Sequence, residues 1–343
     1  MNANPTRLLL VANPDAMHVG AHFLEAAGAL GIDAHLCDVR RASSGPRLFQ
    51  KAAWWAAGHR PLRLRRFSRE VVEAARRLRP QYVLTTGLAP LDAAALDALG
   101  RLGVVRLNFL TDDPWNPAHH APWFLEALGR YDVVFSPRRA TLADIERGGG
   151  PRARYLPFAY APSQHFIDRP TDAESATWDA DVVFAGGGDP DRVEIFDALI
   201  RAGLRVALYG GYWDRYAQTR GAARGHVGPG GVRKAIGGGR VALCLVRRAN
   251  RDSHSMRTFE VPAMGGCVLA EDTVDHRDLF GAEGEAALYF RTPDDAVDRV
   301  RALLKAAADR ARMSSRAHAI ITAGRHRYAD RLDQMLSEVK RAS

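Results

Sequence analysis

Short segments that are apolar throughout alternate with amphipathic segments along most of this chain. The run RLLLVAN at 7–13 is followed by the stretch 17–30, in which apolar residues recur at helical spacing. Strands without polar alternation are buried on both faces, as happens when helices cover both sides of a parallel sheet. The alternation therefore predicts an α/β protein built on doubly wound, Rossmann-like parallel sheets.

Two such series follow one another, and 343 residues are enough for two domains. We predict a first domain over 1–160, a proline-containing linker over 161–178, a second domain over 179–320 and a C-terminal helix over 321–343 that could pack back on the first domain. The predicted strands are 7–13, 34–39, 82–87, 104–112, 131–137, 181–188, 205–211, 240–246, 265–272 and 286–290, and one long helix is predicted over 293–321. Ligands of such sheets bind beyond the carboxyl ends of strands, and the cleft between two domains is the default site.

Composition excludes several classes of protein. Three cysteines without a CxxC pair argue against a disulfide framework and against a structural zinc site. The N-terminus lacks the apolar run of a signal peptide, and no window approaches the roughly 18 apolar residues of a spanning helix. We therefore expect a cytoplasmic protein with no integral membrane segment.

The net charge of +9 would suit a nucleic acid, an anionic membrane or a phosphorylated ligand. An arginine-heavy composition explains much of it. One cluster lies along a predicted helix and consists of Arg60, Arg63, Arg65, Arg66, Arg69, Arg76, Arg77 and Arg79. A solvated helix face is the simpler interpretation, and an anionic acceptor or a lipid is the alternative. Because these residues lack interleaved aromatics, we expect no nucleic-acid partner.

A glycine-rich turn joins a strand to a helix in DVVFAGGGDPDRVEIF, at 181–196. Gly186, Gly187 and Gly188 would let backbone N–H groups approach an anion, and the helix that starts at Pro190 adds partial positive charge. Arg192 could add a bidentate phosphate contact. The turn fits neither a Walker A loop nor GxGxxG, so a tight turn without a ligand remains the alternative.

The second motif, at 247–272, lies between two predicted strands. A polar loop leads into a short helix, FEVPAM, which Gly265 and Gly266 terminate. Glu260 on this helix could accept the hydroxyls of a ribose, and N–H groups at the helix start could hold a diphosphate. A surface loop with a capping Ser255 is the alternative.

The stretch SMRTFEVPAMGGCVLAEDTVDHRDLF resembles the signature of CgeB-type, glycosyltransferase-like proteins within the GT-B, group 1 glycosyltransferases. The likeness continues in YDVVFSPRRATLADIERGGGPRARYLPFAYAPSQH, DVVFAGGGDPDRVEIFDAL and GEAALYFRTPDDAVDRVRALL, so that it spans about residues 100–330. It implies a GT-B fold of two tandem domains with an inter-domain cleft. It also implies a nucleotide-sugar donor held by the second domain.

Specific residues follow from that resemblance. Related retaining enzymes space two acidic residues as E-x7-E, a spacing that falls here on Asp252, near the sugar, and Glu260, at the ribose. Arg192 matches the basic residue on the diphosphate, and Lys234 or Arg257 would complete the basic pair. The remaining donor-side candidates are Gly186, Gly187, Gly188, Tyr209, Gly210, His254, Ser255 and Met256, with Trp213 near the base.

The first domain offers a second set of candidates in NFLTDDPW. Asp112 or Asp113 could act as a general base on an acceptor hydroxyl or hold the donor sugar, and Trp115 and His18 would lie on the acceptor side. A turn in which an Asp caps the next segment is the alternative. We expect no metal and no cofactor, and we assign no function to His165 or His318.

We therefore expect a glycosyltransferase that moves a sugar from a nucleotide-diphosphate sugar, with UDP favoured, to an acceptor that is anionic or a surface glycan or protein. The reaction is expected to be metal-independent and retaining. A catalytically silent relative with a nucleotide or sugar site, and a nucleotide-sugar epimerase, are the alternatives.

Overall fold

A computed structural model describes residues 6–45, 58–147 and 150–342 of the chain. Its contacts divide the chain into two compact units. The first unit comprises the described residues up to Pro157, together with Ala249–Arg251 and the residues from Tyr328 onward. The second unit comprises Phe158–Arg248 and Asp252–Arg327.

The first unit is built on a six-stranded sheet in the order β2-β1-β3-β4-β5-β6, and every strand pair is parallel. The strands are β1 (Arg7–Ala12), β2 (Asp33–Asp38), β3 (Tyr82–Thr86), β4 (Val105–Phe109), β5 (Val133–Ser136) and β6 (Arg152–Tyr155). Its first helices are α1 (Val19–Ala29), α2 (Leu64–Leu78), α3 (Ala93–Arg101), α4 (Pro122–Leu128) and α5 (Leu142–Glu146). The arginine-rich α2 buries its apolar side, including Phe67 and Val71.

The second unit repeats this architecture with the order β12-β11-β10-β7-β8-β9, again parallel throughout. The strands are β7 (Ala180–Ala185), β8 (Val206–Tyr209), β9 (Ala223–Gly225), β10 (Gly239–Cys244), β11 (Val268–Glu271) and β12 (Ala287–Phe290). The helices are α6 (Asp172–Trp178), α7 (Pro190–Arg201), α8 (Pro229–Gly238), α9 (Met256–Ala263), α10 (Val274–Phe280), α11 (Pro293–Lys305) and α12 (Ala307–Ala323). The predicted fold class, two Rossmann-like doubly wound sheets in tandem, is confirmed.

The last helix, α13 (Tyr328–Ala342), belongs to the first unit and packs against α1. Tyr328 is buried and stacks on His22 at 5.0 Å between ring centroids, and Phe23 meets the same ring edge-on at 5.2 Å. These aromatic contacts place the end of the chain in the first core. No helix among the described residues combines the length and apolar character that crossing a bilayer requires.

Several elements differ from the sequence prediction, which did not include the helices α4, α5, α8 and α10. The single helix predicted over 293–321 is broken at Ala306, and the Arg310 side chain donates to the carbonyls of Leu303 and Leu304 at the end of α11. The short strands β6 and β9 were not predicted, because β6 is rich in arginine and β9 has three residues. Residues 172–178, inside the predicted linker, form α6.

Trp213 is the largest side chain in the core of the second unit and is 0% exposed. Its ring meets Phe184 and Phe196 edge-on, and its Nε1 donates to the carbonyl of Gly186 at 2.8 Å. The interpretation that Trp213 lies near a nucleotide base is therefore wrong. A fully enclosed indole has no face left for a ligand, and here it supports the loop after β7 from below.

We expect Trp213→Ala to lower the free energy of unfolding by roughly 3–5 kcal/mol, because it removes a buried aromatic ring and leaves a cavity. Tyr212→Ala is the matched control, since Tyr212 is 53% exposed, and it should change stability by less than about 1 kcal/mol. Urea unfolding followed by circular dichroism measures both. Similar losses in the two variants would contradict the assignment of Trp213 to the core.

Candidate functional site

Close packing around the end of β7 requires glycine at most of the predicted glycine positions. A Cβ on Gly186 would lie 2.8 Å from the Phe184 ring, and one on Gly188 would lie 2.9 Å from the Trp213 ring. Gly210 has φ +129°, and a Cβ there would lie 2.4 Å from the carbonyl oxygen of Gly186. Gly187 is the exception, since its nearest neighbours would be 3.8 Å away. Packing alone therefore accounts for three of the four predicted glycines.

Arg192 lies in the first turn of α7, directly behind this loop. Its Nη1 donates to the carbonyl of Gly187 at 2.9 Å, and its Nε is 3.5 Å from Asp189, the residue that caps the helix. The side chain is buried, and burial lowers the pKa of the guanidinium below its ordinary value. Arg192 is thus a partly desolvated cation at a helix N-terminus, an arrangement that favours an anion at the loop.

The sheet of the second unit changes direction between β7 and β10. The chain runs from β7 outward to β8 and β9, and then returns to β10 on the other side. In doubly wound sheets the crevice beyond such a switch point binds ligands. The loop 186–188 after β7 and the segment that leads from β10 into α9 both end at this crevice.

Glu260 and Arg257 form an ion pair on α9 at this crevice. Arg257 also donates through Nε to the carbonyl of Ala185, the last residue of β7. The Glu260 side chain is 1% exposed, and burying a carboxylate costs free energy unless it is paired. The pair therefore fixes α9 against β7, and it brings together two of the predicted donor residues.

His165 is a second neighbour of Glu260 that sequence reasoning missed. Its Nδ1 accepts a hydrogen bond from the N–H of Ala161 at 3.0 Å, so Nε2 carries the proton and lies 3.6 Å from Glu260 Oε1. The ring is buried. No spacing or motif links residues 165 and 260, and only the packing of the segment before α6 brings them together.

His254 is a predicted phosphate contact, and the structure gives it another role. The buried ring donates through Nδ1 to Asp275 at 2.9 Å and accepts at Nε2 from the N–H of Phe158 at 3.2 Å. Both ring nitrogens thus bind protein groups. In this structure His254 anchors the loop before α9 to α10 and leaves no ring nitrogen for a phosphate.

Ser255 occupies the N-cap position of α9. Its N–H donates to the hydroxyl of Thr258 at 3.1 Å, and that hydroxyl lies 2.9 Å from His276 Nε2. His276 Nδ1 lies 2.7 Å from the carbonyl oxygen of Glu271, so it carries the ring proton. Met256 is the first residue of α9 and is half-buried. The start of α9 is therefore held by a chain of neutral hydrogen bonds.

Asp252 and Glu271 lie where β10 and β11 end. The carboxylate of Asp252 accepts from the N–H of Arg247 at 3.3 Å, whereas Glu271 accepts from the N–H of Val246 at 2.6 Å. Glu271 is buried, which raises the pKa of its carboxyl group above the ordinary value. Glu271 was not predicted as a site residue, although the end of β11 is an expected position for one.

Lys234 and Tyr209, two further predicted donor-side residues, contact protein groups in this structure. Lys234 forms ion pairs with Asp168 at 3.2 Å and Glu174 at 3.0 Å. Tyr209 is buried, and its ring lies 5.8 Å from that of Trp178. Arg257, the other candidate for the second positive charge, is the one that the fold brings to the end of β7.

The two predicted aspartates of the first unit differ in their surroundings. Asp113 is 1% exposed and binds Arg251 through both oxygens, at 2.6 and 3.1 Å, while also accepting from the N–H of Trp115. These hydrogen bonds give Asp113 a structural role, which agrees with the alternative of a turn capped by an Asp. Asp112 is half-exposed, and its carboxylate lies 3.7 Å from His119 Nε2.

Asp112 and His119 face a pocket of about 260 Å³ at the carboxyl ends of the strands in the first unit. Its walls comprise Val39, Ser43, His59, Pro61, Leu88, Pro90, Asp112, His119, Ala121 and Trp123. Trp123 offers an aromatic surface, and Asp112 a carboxylate. Neither His18 nor Trp115 lines this pocket. His18 is exposed in the loop after β1, and Trp115 lies beside Arg251.

His276 generates a pH-dependent stability. Burial lowers the pKa of its imidazole to about 4, against about 6.5 in an unfolded chain, so the unfolded state binds more protons between these values. Stability should therefore fall as the pH falls from 6.5 to 4, by roughly 3 kcal/mol from this group. We expect His276→Gln to be less stable at pH 7 and to lose less on acidification, with the exposed His226→Gln as control. Parallel pH profiles of urea unfolding for wild type and His276→Gln would rule this out.

Comparison with known proteins agrees with this architecture. Residues 192–337 match the family described as glycosyl transferase-like. The fold is similar to that of sucrose-phosphate synthase from Thermosynechococcus elongatus, with 13% identity, 98% of this chain and 100% of that chain covered, and a TM-score of 0.66. It is also similar to Anabaena HepE in complex with UDP-glucose (12% identity, 98% and 100% covered, TM-score 0.67).

A trehalose-6-phosphate synthase structure is similar at 14% identity, with 98% of this chain and 99% of that chain covered and a TM-score of 0.64. No curated protein sequence matches the chain. The chain thus has the GT-B fold of two Rossmann-like units, and its residues 192–337 are similar to the glycosyl transferase-like family.

Proposed function

We propose that this protein is a glycosyltransferase that uses a nucleoside-diphosphate sugar, with UDP as the favoured nucleotide. The observation that carries the proposal is the arrangement at the β7/β10 switch point. There a buried carboxylate, Glu260, and two cations, Arg192 and Arg257, lie beyond the ends of neighbouring parallel strands. The HepE complexes contain UDP and UDP-glucose, which supports the choice of nucleotide.

The Glu260–Arg257 pair suggests how the donor is bound. A carboxylate has about four lone-pair positions and can accept both hydroxyls of a ribose. We expect Arg257 to turn from Glu260 to the diphosphate when the donor enters, which exposes the carboxylate to the ribose. Each charge then exchanges one partner for another, so that neither is left buried and unpaired.

Departure of the diphosphate is the step that the cations assist. The bond between the sugar C1 and the diphosphate oxygen breaks, and the oxygen leaves with the electron pair. Arg192, Arg257 and the N–H groups at the starts of α7 and α9 would stabilise this developing charge. Because these groups supply positive charge, we propose that the reaction needs no divalent ion and that EDTA leaves the rate unchanged.

The acceptor hydroxyl forms the new bond to C1 and gives up its proton. We propose Asp112 as the group that takes this proton, because Asp113 is fully committed to Arg251. The pocket beside Asp112, with Trp123 in its wall, suits a hydroxylated acceptor with one apolar face. The near E-x7-E spacing of Asp252 and Glu260 and the CgeB-like signature favour retention of configuration at C1. Retention in a single step requires the acceptor oxygen to attack C1 from the face that the diphosphate leaves, and NMR of the product would reveal it.

The donor site is tested by calorimetric titration with UDP, GDP, dTDP and UDP-glucose. We expect one saturable site for a single base. Glu260→Gln should weaken it by about 10- to 100-fold, the range for a lost hydrogen bond to a charged group. Arg192→Ala should act similarly, with partial recovery in Arg192→Lys.

Glu194→Gln and Arg201→Ala serve as matched controls, because both residues are exposed on α7. The two substitutions change the charge as Glu260→Gln and Arg192→Ala do. Wild-type affinity is expected in both. Unchanged nucleotide affinity in Glu260→Gln, with the variant folded by circular dichroism, would disprove the site. Conversion of the donor to another sugar without an acceptor would instead favour an epimerase.

A further inference from the structure

A pocket of about 450 Å³ opens in the second unit at the edge of the sheet opposite the β7/β10 crevice. Gly239 and Arg240, at the first positions of β10, and Cys267, just before β11, form part of its wall. In a parallel sheet the amino and carboxyl ends of six-residue strands are roughly 20 Å apart. The pocket is therefore separate from Glu260 and Arg192.

The charged side chains that line this pocket are all cations. Three arginines, a histidine and two serines line it, and no carboxylate does. The cations are Arg169, Arg240 and Arg310. Arg240 is committed to Asp179 at 2.8 Å, whereas no carboxylate of the described chain forms an ion pair with Arg169 or Arg310.

The neighbouring carboxylate does not neutralise Arg169 or Arg310. The adjacent carboxylate of Asp168 is bound by Arg233 and Lys234, and these contacts hold its pKa below the ordinary value. Arg310 is fixed by the carbonyls at the end of α11, which orient its guanidinium without neutralising it. Positive charge is therefore built into the pocket by the fold.

Polar groups complement the charge. Nδ1 of His318 lies 3.0 Å from the carbonyl oxygen of Pro262. Nδ1 therefore carries the ring proton, and Nε2 is the nitrogen without one. Ser314 and Ser315 add hydroxyls from the same helix, α12. Burial raises the pKa of the Cys267 thiol to about 11, so the thiol in the wall stays protonated at neutral pH. The volume lies within the usual range for sites of small molecules.

We propose that this pocket is a second ligand site, for a small multivalent anion that bears phosphate or carboxylate groups. Arg169 and Arg310 bind the anion, and the hydroxyls of Ser314 and Ser315 orient it. Met264 and Ala311 supply an apolar wall for the rest of the molecule. This site is distinct from the donor site of the proposed function and does not depend on it.

The test is calorimetric titration of the full chain with pyrophosphate and with citrate, at constant ionic strength in a buffer without phosphate. Because pyrophosphate can also enter the donor site, the site proposed here is the one that still saturates in Arg192→Ala, and we expect Arg169→Glu and Ser315→Glu to weaken it at least tenfold. Arg316→Glu, exposed on α12 outside the pocket, makes the same charge change as Arg169→Glu and should bind normally.

Arg192→Ala separates this site from the donor site, because it should leave the probe's affinity unchanged. Two results would overturn the proposal. One is saturable binding that Arg192→Ala abolishes and Arg169→Glu retains, which would place the anion at the glycine loop. The other is no saturable binding of either probe. The preference for pyrophosphate or citrate distinguishes a phosphorylated from a carboxylated ligand.

Discussion

The ion pair between Glu260 and Arg257 connects the two elements on which the candidate site depends. Arg257 reaches from α9 to the last carbonyl of β7, and it pairs with Glu260, which is almost fully buried. Without Arg257, Glu260 would lose the cation with which it is paired, and α9 would lose its hydrogen bond to the last carbonyl of β7. The geometry at the strand ends thus follows from satisfying one buried charge.

The start of α9 is fixed by histidines that do no chemistry themselves. His254 joins the loop to Asp275. His276 accepts a hydrogen bond from the hydroxyl of Thr258, and that hydroxyl accepts one from the N–H of Ser255. Buried polar networks of this kind are stabilising only when every member has a partner. The low pKa of His276 keeps its ring neutral at physiological pH, as this chain of hydrogen bonds requires.

The sequence was informative about the fold because apolar strands and helical periodicity are local properties. RLLLVA and ADVVFA form strands where the pattern predicts them, and the glycine loop lies between β7 and α7. The α6 segment was missed although it carries a local signal. Thr171 and Glu174 form a capping box that a proline-rich neighbourhood obscured.

Partnerships between distant residues could not be predicted in this way. Asp112 and Asp113 are adjacent and chemically identical in sequence, yet only Asp113 meets Arg251, which is 138 positions away. His254 lies inside the donor motif but binds Asp275, whereas His165 lies outside every motif and approaches Glu260. Such roles depend on which side chains the tertiary fold brings together.

We propose that a nucleoside diphosphate binds beyond the ends of β7 and β10 in the second unit. Hydrogen–deuterium exchange of the wild-type chain with and without saturating UDP tests it most directly. We expect slower exchange confined to the loop 186–188, the first turn of α7 and residues 253–260. Protection in the first unit alone, or none with any nucleotide, would contradict it.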